Sequence, residues 1–295
     1  MGSRAITLDE QIALLRSRGM NIIDENKAKE VLFDVGYYRL GFYWFSFEKP
    51  CDNRVSRIHE FKTGANFDDA VKLYYFDYSL RNLLQKYITR IEVNFRTHLV
   101  YQISNEHDDL PTWFVSPQVV DRAYINSFDE EVYNTGFKRN KYISHHHRIH
   151  INDRYAPAWK TLEFMTFGSN IALYKSLLDL DLKKEIASGY GVNYTGVFEN
   201  YMDVIRCVRN TCAHGGVLYD INLHPLIRKG PAGIRGHEDR KLYGAIKVVR
   251  YMLAQISTNR ANDFDKELQE LIVRYASTPA LKEVLINISG FKLQK

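Results

Sequence analysis

The sequence has little of what marks disulfide-stabilised, fibrous or membrane-spanning proteins. Three cysteines are too few for a disulfide framework. Cys207 and Cys212 stand five positions apart in one helical pattern and point about 140° apart, so we do not expect them to pair. Seven prolines and 17 glycines exclude a collagen-like chain. No stretch of 18 residues is free of charge, and the first residues lack the apolar run of a signal peptide, so we expect a cytoplasmic protein that does not enter a membrane.

Aromatic and charged residues, by contrast, are plentiful. Aromatic side chains make up 13% of the 295 residues, which is ample material for a folded core. The net charge is only +5, but it is unevenly distributed, because residues 136–160 and 224–250 each carry a local excess of five positive charges. Two basic segments on an otherwise acidic chain indicate a surface for a polyanion, with nucleic acid as the first candidate. Two solvated basic loops are the alternative, and the charge pattern alone does not decide between them.

Helical periodicity dominates the chain, and no segment reads as a clear strand. Residues 67–104 contain neither glycine nor proline and carry an apolar stripe at spacings of three and four, which predicts one long helix or two helices joined by a kink. The aromatic run 37–45 could be a short strand, a turn or an aromatic plug. We therefore predict a mainly α fold, a helical bundle with a long central helix.

The predicted organisation has three parts. A helical and aromatic extension covers residues 1–66, and the main helical domain covers 67–258 with a basic insertion at 136–156. A helical C-terminal segment covers 259–295. We found neither an internal repeat nor a low-complexity tract.

The most informative segment is the predicted helix 201–214. At 100° per residue its apolar side chains fall on one side, and the opposite side carries a group of polar ones. That polar group consists of Asp203, Arg206, Arg209, Asn210 and His214. Asn210 and His214 are four positions apart, so the amide can orient the imidazole. His214 stands where the helix ends before two glycines, and there the helix dipole stabilises a positive charge.

An arginine beside a histidine suits chemistry at a phosphodiester. The guanidinium of Arg209 can neutralise charge on the phosphate, and the imidazole of His214 can move the proton. RNA supplies its own nucleophile, the 2′-hydroxyl, so this chemistry needs no metal and no other cofactor. A solvated helix face that happens to carry these side chains is the alternative, because an arginine and a histidine five positions apart are common.

The segment Arg209-Asn210-Thr211-Cys212-Ala213-His214 resembles the Arg-x4-His motif of HEPN domains, in the form found in Abi-like bacterial abortive-infection proteins. Four further blocks in the same order resemble that family. They are Gly36-Tyr37-Tyr38-Arg39-Leu40, Leu73-Tyr74-Tyr75-Phe76-Asp77 with Leu80-Arg81, Ile91-Glu92-Val93-Asn94-Phe95-Arg96, and residues 157–168. The Arg-x4-His pair alone is a weak signal, but the ordered set, which spans roughly residues 8–220, is specific.

The resemblance implies a helical bundle that dimerises, so that two Arg-x4-His motifs face one cleft, and it implies a metal-independent endoribonuclease of phage defence. In that hypothesis Arg209, Asn210 and His214 are catalytic, and Glu92, Arg96 and Arg206 support them. RNA is then the substrate, a homodimer the assembly, and a guard RNA or antitoxin a further partner. Two other hypotheses stay open: a non-catalytic RNA-binding or toxin–antitoxin module, and a nucleotide-binding regulatory protein.

The basic insertion holds the predicted RNA contacts and a histidine cluster. The predicted contacts are Lys138, Arg139, Lys141, His145, His146, Arg148 and Arg154. Consecutive histidines cannot all face one metal ion from a regular element, so we predict no metal site there. Glu92 and Arg96 are spaced for an ion pair along a helix, and Glu92 could instead cross to hold Arg209.

Overall fold

The computed structural model describes residues 4–50 and 59–293. Residues 51–58, which belong to the predicted N-terminal extension, lie outside this range. Within the described part the chain forms fourteen α-helices and no strand beyond isolated bridges, so the predicted mainly α class is confirmed. In chain order they are α1 (Leu8–Ser17), α2 (Glu25–Val35), α3 (Tyr37–Trp44), α4 (Phe67–Glu106), α5 (Arg122–Glu131), α6 (Thr135–Lys138), α7 (Lys141–Ile149), α8 (Ala158–Phe164), α9 (Phe167–Lys175), α10 (Leu180–Ser188), α11 (Thr195–Ala213), α12 (Leu242–Ile256), α13 (Thr258–Tyr275) and α14 (Pro279–Asn287).

The fold is built around α4, a single helix of 40 residues. At 1.5 Å per residue it is about 60 Å long. Asn66 caps its N-terminus by accepting from the Asp68 amide, and the predicted apolar stripe is fully buried along its length. Helices α3, α11, α12 and α13 pack around it, and each large apolar side chain buried there stabilises the fold by about 1.5–3 kcal/mol.

Residues 37–44 of the aromatic run 37–45 form a helix, so the run is neither a strand nor a simple turn. It forms α3, in which Leu40, Tyr43 and Trp44 are buried against α4. Tyr38 and Phe42 face outward and meet edge to face, with ring centroids 5.3 Å apart. The sequence of this run is ambiguous because its apolar side chains lie on both sides of the helix and show no clean period.

The basic insertion is helical through residue 149 and irregular from there to residue 156. Asn134 and Asn140 cap α6 and α7 by accepting from backbone amides of the first turn. Ile143 and His146 are the buried residues of α7. Lys138, Lys141 and Arg148 are therefore presented from helices.

One continuous hydrophobic core joins the three predicted parts of the chain. It includes residues of α1, of α4 and of α14. No helix in the described residues is both long and apolar enough to cross a membrane.

Candidate functional site

Helix α11 separates its apolar and polar faces as its sequence predicts. Tyr201, Val204, Ile205 and Val208 are buried against the core. The polar side chains of the opposite face are half-buried, and these are Asp203, Arg206, Arg209 and Asn210. The helix is longer than predicted at its start, because residues 195–200 add a turn and a half before Tyr201.

Arg209 is held from α4. Its Nε lies 3.6 Å from Glu92 Oε2 and forms no hydrogen bond, and its Nη1 donates a 3.4 Å hydrogen bond to Asn210 Oδ1. The Arg209 side chain is 31% exposed, whereas that of Glu92 is only 12% exposed. Glu92 therefore holds the inner edge of the guanidinium, and the outer edge faces solvent where an anion could reach it.

Glu92 belongs to a row of alternating charges that crosses three helices. Its Oε1 lies 3.6 Å from Arg96 Nη2, and Arg96 Nη1 lies 3.3 Å from Glu163 Oε2 on α8. The order Glu163, Arg96, Glu92, Arg209 places each guanidinium beside a carboxylate. Such a row fixes its inner members more firmly than an isolated surface pair, because Glu92 and Arg96 are each only 12% exposed.

Arg206, also predicted to support the site, is engaged with its own helix. Its Nη2 lies 3.6 Å from Asp203 Oδ1, and Lys175 donates a 2.6 Å hydrogen bond to the other oxygen of Asp203. The Arg206 side chain is 44% exposed, so it too can turn toward a bound anion.

His214 follows the last residue of α11 and is exposed. The helix ends in a Schellman motif: the Gly216 amide donates to Thr211 O and the Gly215 amide to Cys212 O. Gly215 has a φ of +64°, a conformation that favours glycine. Among the described residues no hydrogen bond joins the His214 ring to Asn210, whose oxygen accepts from Arg209 instead. The predicted orientation of His214 by Asn210 is therefore absent within one chain.

Charged side chains of α3 and α4 hold the turn after His214 against the core. Arg39 donates to Gly215 O, and Arg81 donates a 3.1 Å hydrogen bond to Gly216 O. Asp77 is fully buried, pairs with Arg81 and accepts from the amides of Leu218 and Tyr219. The backbone that carries His214 is thus held at both glycines and, through Asp77, at Leu218 and Tyr219.

In the sequence, Asp77 and Arg81 are part of the family resemblance, but no role is predicted for them. The signal was present, because an acid and an arginine four positions apart stand inside the apolar pattern of α4. Burial is the largest influence on the pKa of Asp77 and raises it, while Arg81, Tyr43 and the two amides act against that rise. The phenol of Tyr43 donates to Asp77, and burial raises the pKa of this tyrosine as well.

The two cysteines of α11 are free and their thiols are not activated. Burial raises the pKa of Cys212 to about 12 and also raises the pKa of Cys207. A nucleophilic cysteine needs the opposite shift. Within the described chain, no group of three or more His, Cys, Asp and Glu side chains could hold a metal ion.

The predicted RNA contacts lie on α6, α7 and the segment after them, and they differ in availability. Exposed side chains make up most of the set: Lys138, Arg139, Lys141, His145, Arg148 and Arg154. Arg154 is paired with Asp129 at 2.6 Å, so its charge is partly neutralised. His146 is only 4% exposed and cannot lie against an RNA backbone that runs along the outer surface of α7.

Comparison with known proteins gives a family and nothing beyond it. No curated protein and no solved structure matches the chain. A family model described as Abi-like protein matches residues 30–220, well over half of the chain. That range contains α3, α4 and α11, and so it contains Arg39, Asp77, Glu92, Arg209 and His214. The chain therefore belongs to the family of Abi-like proteins.

Proposed function

We propose that this chain is a metal-independent HEPN-type endoribonuclease of bacterial abortive infection. The observation that carries the proposal is the placement of Arg209: Glu92 holds it at 3.6 Å, and it is still 31% exposed beside the end of the helix that presents His214. Membership of the Abi-like family supports the abortive-infection role. The resemblance of the Arg-x4-His segment to HEPN motifs supports the reaction.

In the proposed reaction the RNA 2′-hydroxyl attacks the adjacent phosphorus. The new bond is O2′–P, the O5′–P bond breaks, and the products are a 2′,3′-cyclic phosphate and a 5′-hydroxyl. Arg209 would stabilise the added negative charge on the phosphorane oxygens. His214 would either take the proton from the 2′-hydroxyl or give one to the leaving 5′-oxygen.

Within the described residues, one chain provides a guanidinium and an exposed imidazole but no hydrogen bond that orients the imidazole. A second copy would supply the missing contacts, so we propose a symmetric dimer with the ends of the two α11 helices near its axis. Light scattering at micromolar concentration should give twice the monomer mass, and specific activity should rise with protein concentration near the dissociation constant. A monomer with concentration-independent activity would contradict the dimer.

The activity is tested by incubating purified protein with total RNA in EDTA. Wild type should cleave and leave cyclic phosphate ends that mass spectrometry identifies, and Arg209→Ala should not. Arg90→Ala is the matched control, because it removes an exposed arginine of α4 that has no part in the proposed reaction. RNA binding without cleavage by the wild-type protein would favour the non-catalytic RNA-binding alternative.

A further inference from the structure

A cavity of about 580 Å³ opens between α7, α8 and the segment that joins them. Its volume lies within the range of roughly 300–1,000 Å³ that is typical of small-molecule sites. The reaction proposed above makes no use of it. The side chains that matter to its chemistry are His146, His150, Asp153, Tyr155, Trp159 and Lys160.

Trp159 gives the cavity an aromatic wall that is open to solvent. It is 54% exposed, whereas the other two tryptophans, Trp44 and Trp113, are buried. An exposed indole beside a cavity offers a flat face on which a nucleobase can stack.

His146 brings an unsatisfied polar atom to the cavity. The residue is 4% exposed, and its ring stacks on that of His150 with centroids 4.6 Å apart. Lys160 Nζ lies 3.5 Å from Nδ1 of His146. If Nδ1 accepts a hydrogen bond from this ammonium, the proton of the neutral ring is on Nε2. Nε2 lies 3.1 Å from Asp153 Oδ2 but at an angle that makes no hydrogen bond. Because buried polar groups normally have partners, this N–H is a donor that still lacks its acceptor.

The polar groups of the cavity call for a ligand with both acceptors and donors. The ammonium of Lys160 suits phosphate or carbonyl oxygens. The carboxylate of Asp153 suits an amino group. Arg154 contributes less, because its guanidinium is paired with Asp129 at 2.6 Å. A flat ring system that carries an amino group and is attached to a phosphate satisfies all of these groups.

We propose that this cavity binds one nucleotide, with its base against Trp159 and its anionic part beside Lys160 and His146. Asp153 favours bases with an exocyclic amino group, so uracil is the least favoured base. The nucleotide could belong to an RNA strand or be a free mononucleotide, and both share this chemistry.

Helix α8 connects the cavity to the Arg209 site. Trp159 and Glu163 are four positions apart and so lie one above the other on α8. Glu163 contacts Arg96, which contacts Glu92, which in turn contacts Arg209. An RNA strand with its phosphate at Arg209 could thus extend along this row toward the cavity. This last step rests on the proposed function, but binding of a nucleotide does not.

Tryptophan fluorescence tests the proposal, because Trp159 is the exposed tryptophan of the chain. Wild-type protein is titrated with AMP, GMP, CMP and UMP, and with a 2′-O-methyl RNA that cannot be cleaved. We expect saturable quenching, weakest for UMP among the mononucleotides. Quenching by the mononucleotides would show that a free nucleotide binds the cavity. Quenching by the oligonucleotide alone would show that the bound nucleotide must belong to an RNA strand.

Calorimetry with variants then locates the site. Trp159→Leu should weaken binding by about 5- to 150-fold, as loss of base stacking does. Lys160→Gln should weaken the binding of nucleotides but not that of nucleosides, which lack the phosphate. Lys184→Gln on α10 is the matched control. Absence of binding by every probe would overturn the proposal, and so would unchanged affinity in Trp159→Leu. A protein that binds nucleotides but cleaves no RNA would refute the proposed activity and leave this site intact.

Discussion

At the scale of single residues, Glu92 decides whether Arg209 is a mobile surface arginine or a positioned one. Its carboxylate lies 3.6 Å from both Arg96 and Arg209. Glu92→Gln keeps the shape but removes the charge that holds both guanidiniums. We expect the cleavage rate at saturating RNA to fall by about tenfold, which corresponds to about 1.4 kcal/mol of transition-state stabilisation.

The matched control is Glu130→Gln, which removes an exposed carboxylate from α5. Glu92→Asp should restore part of the rate. RNA affinity should change little in Glu92→Gln, because the role is positioning rather than substrate contact. A rate equal to that of wild type would show that Arg209 does not depend on Glu92.

His146 makes a prediction about pH. Burial, and then Lys160 and His150, lower the pKa of His146 below its usual 6.5, His147 also lowers it, and Asp153 opposes them. The unfolded chain therefore binds this proton first, so the folded state loses stability as the pH falls from about 6.5 toward the lowered value. Above about pH 6.5, His146 adds no pH dependence to the free energy of unfolding.

His146→Gln removes this proton acceptor, so its urea-unfolding free energy should fall less between pH 7.5 and pH 5 than that of wild type. His145→Gln serves as the control, because its side chain is exposed on the same helix. Equal losses in wild type and His146→Gln would mean that His146 does not titrate at a lowered pKa.

At the scale of elements, the buried pair of α4 holds the turn that follows α11. Arg81→Leu would leave the fully buried Asp77 without its cation, and breaking a buried pair costs about 3–5 kcal/mol. It would also release the carbonyl of Gly216. Urea unfolding should show this loss, whereas Arg90→Leu, an exposed arginine on the same helix, should change stability by about 0.5 kcal/mol or less. Similar stability for the two variants would contradict the anchoring role.

The elements that the sequence predicted well are those with a clean period. The stripe of α4 and the two faces of α11 follow from spacing alone, since one side of each helix is apolar. Helix α3 was missed because its aromatic residues face both the core and solvent. Helix α7 was missed because polar and basic residues dominate it and tertiary contacts of Ile143 and His146 fix it.

The candidate site was predictable in its residue types and less so in its contacts. The sequence predicts Arg209 and His214 on one helix, and it also allows a contact between Glu92 and Arg209. Two contacts hold the glycine turn: Arg39 with Gly215 and Arg81 with Gly216. Each joins residues more than 130 positions apart, and a local sequence pattern cannot predict such a contact. The cavity beside Trp159 likewise depends on how α7 and α8 pack.

At the scale of the whole molecule, the basic helices α6 and α7 should guide RNA to the site. Replacing Lys138, Arg139, Lys141 and Arg148 by Gln should weaken binding to all RNA sequences alike, because phosphate contacts carry no base information. Each lost contact should flatten the log–log salt dependence by about 0.7 for single strands.

Adding Arg154→Gln should change the slope less than any of the other four, because Asp129 already neutralises this arginine. Affinities measured at several salt concentrations check both statements. A slope that stays at the wild-type value in the four-site variant would remove this surface from the RNA path.

The central claim, that the Arg209 and His214 pair cleaves RNA, is tested most directly by sequencing RNA ends in cells that express wild type or His214→Ala. Wild type should accumulate fragments with 5′-hydroxyl and 2′,3′-cyclic phosphate ends and should arrest growth. At equal protein level and equal melting temperature, His214→Ala should lose these ends by about 10²- to 10⁴-fold, the usual cost of removing a general acid–base group. The same ends at wild-type abundance in His214→Ala would contradict the assignment.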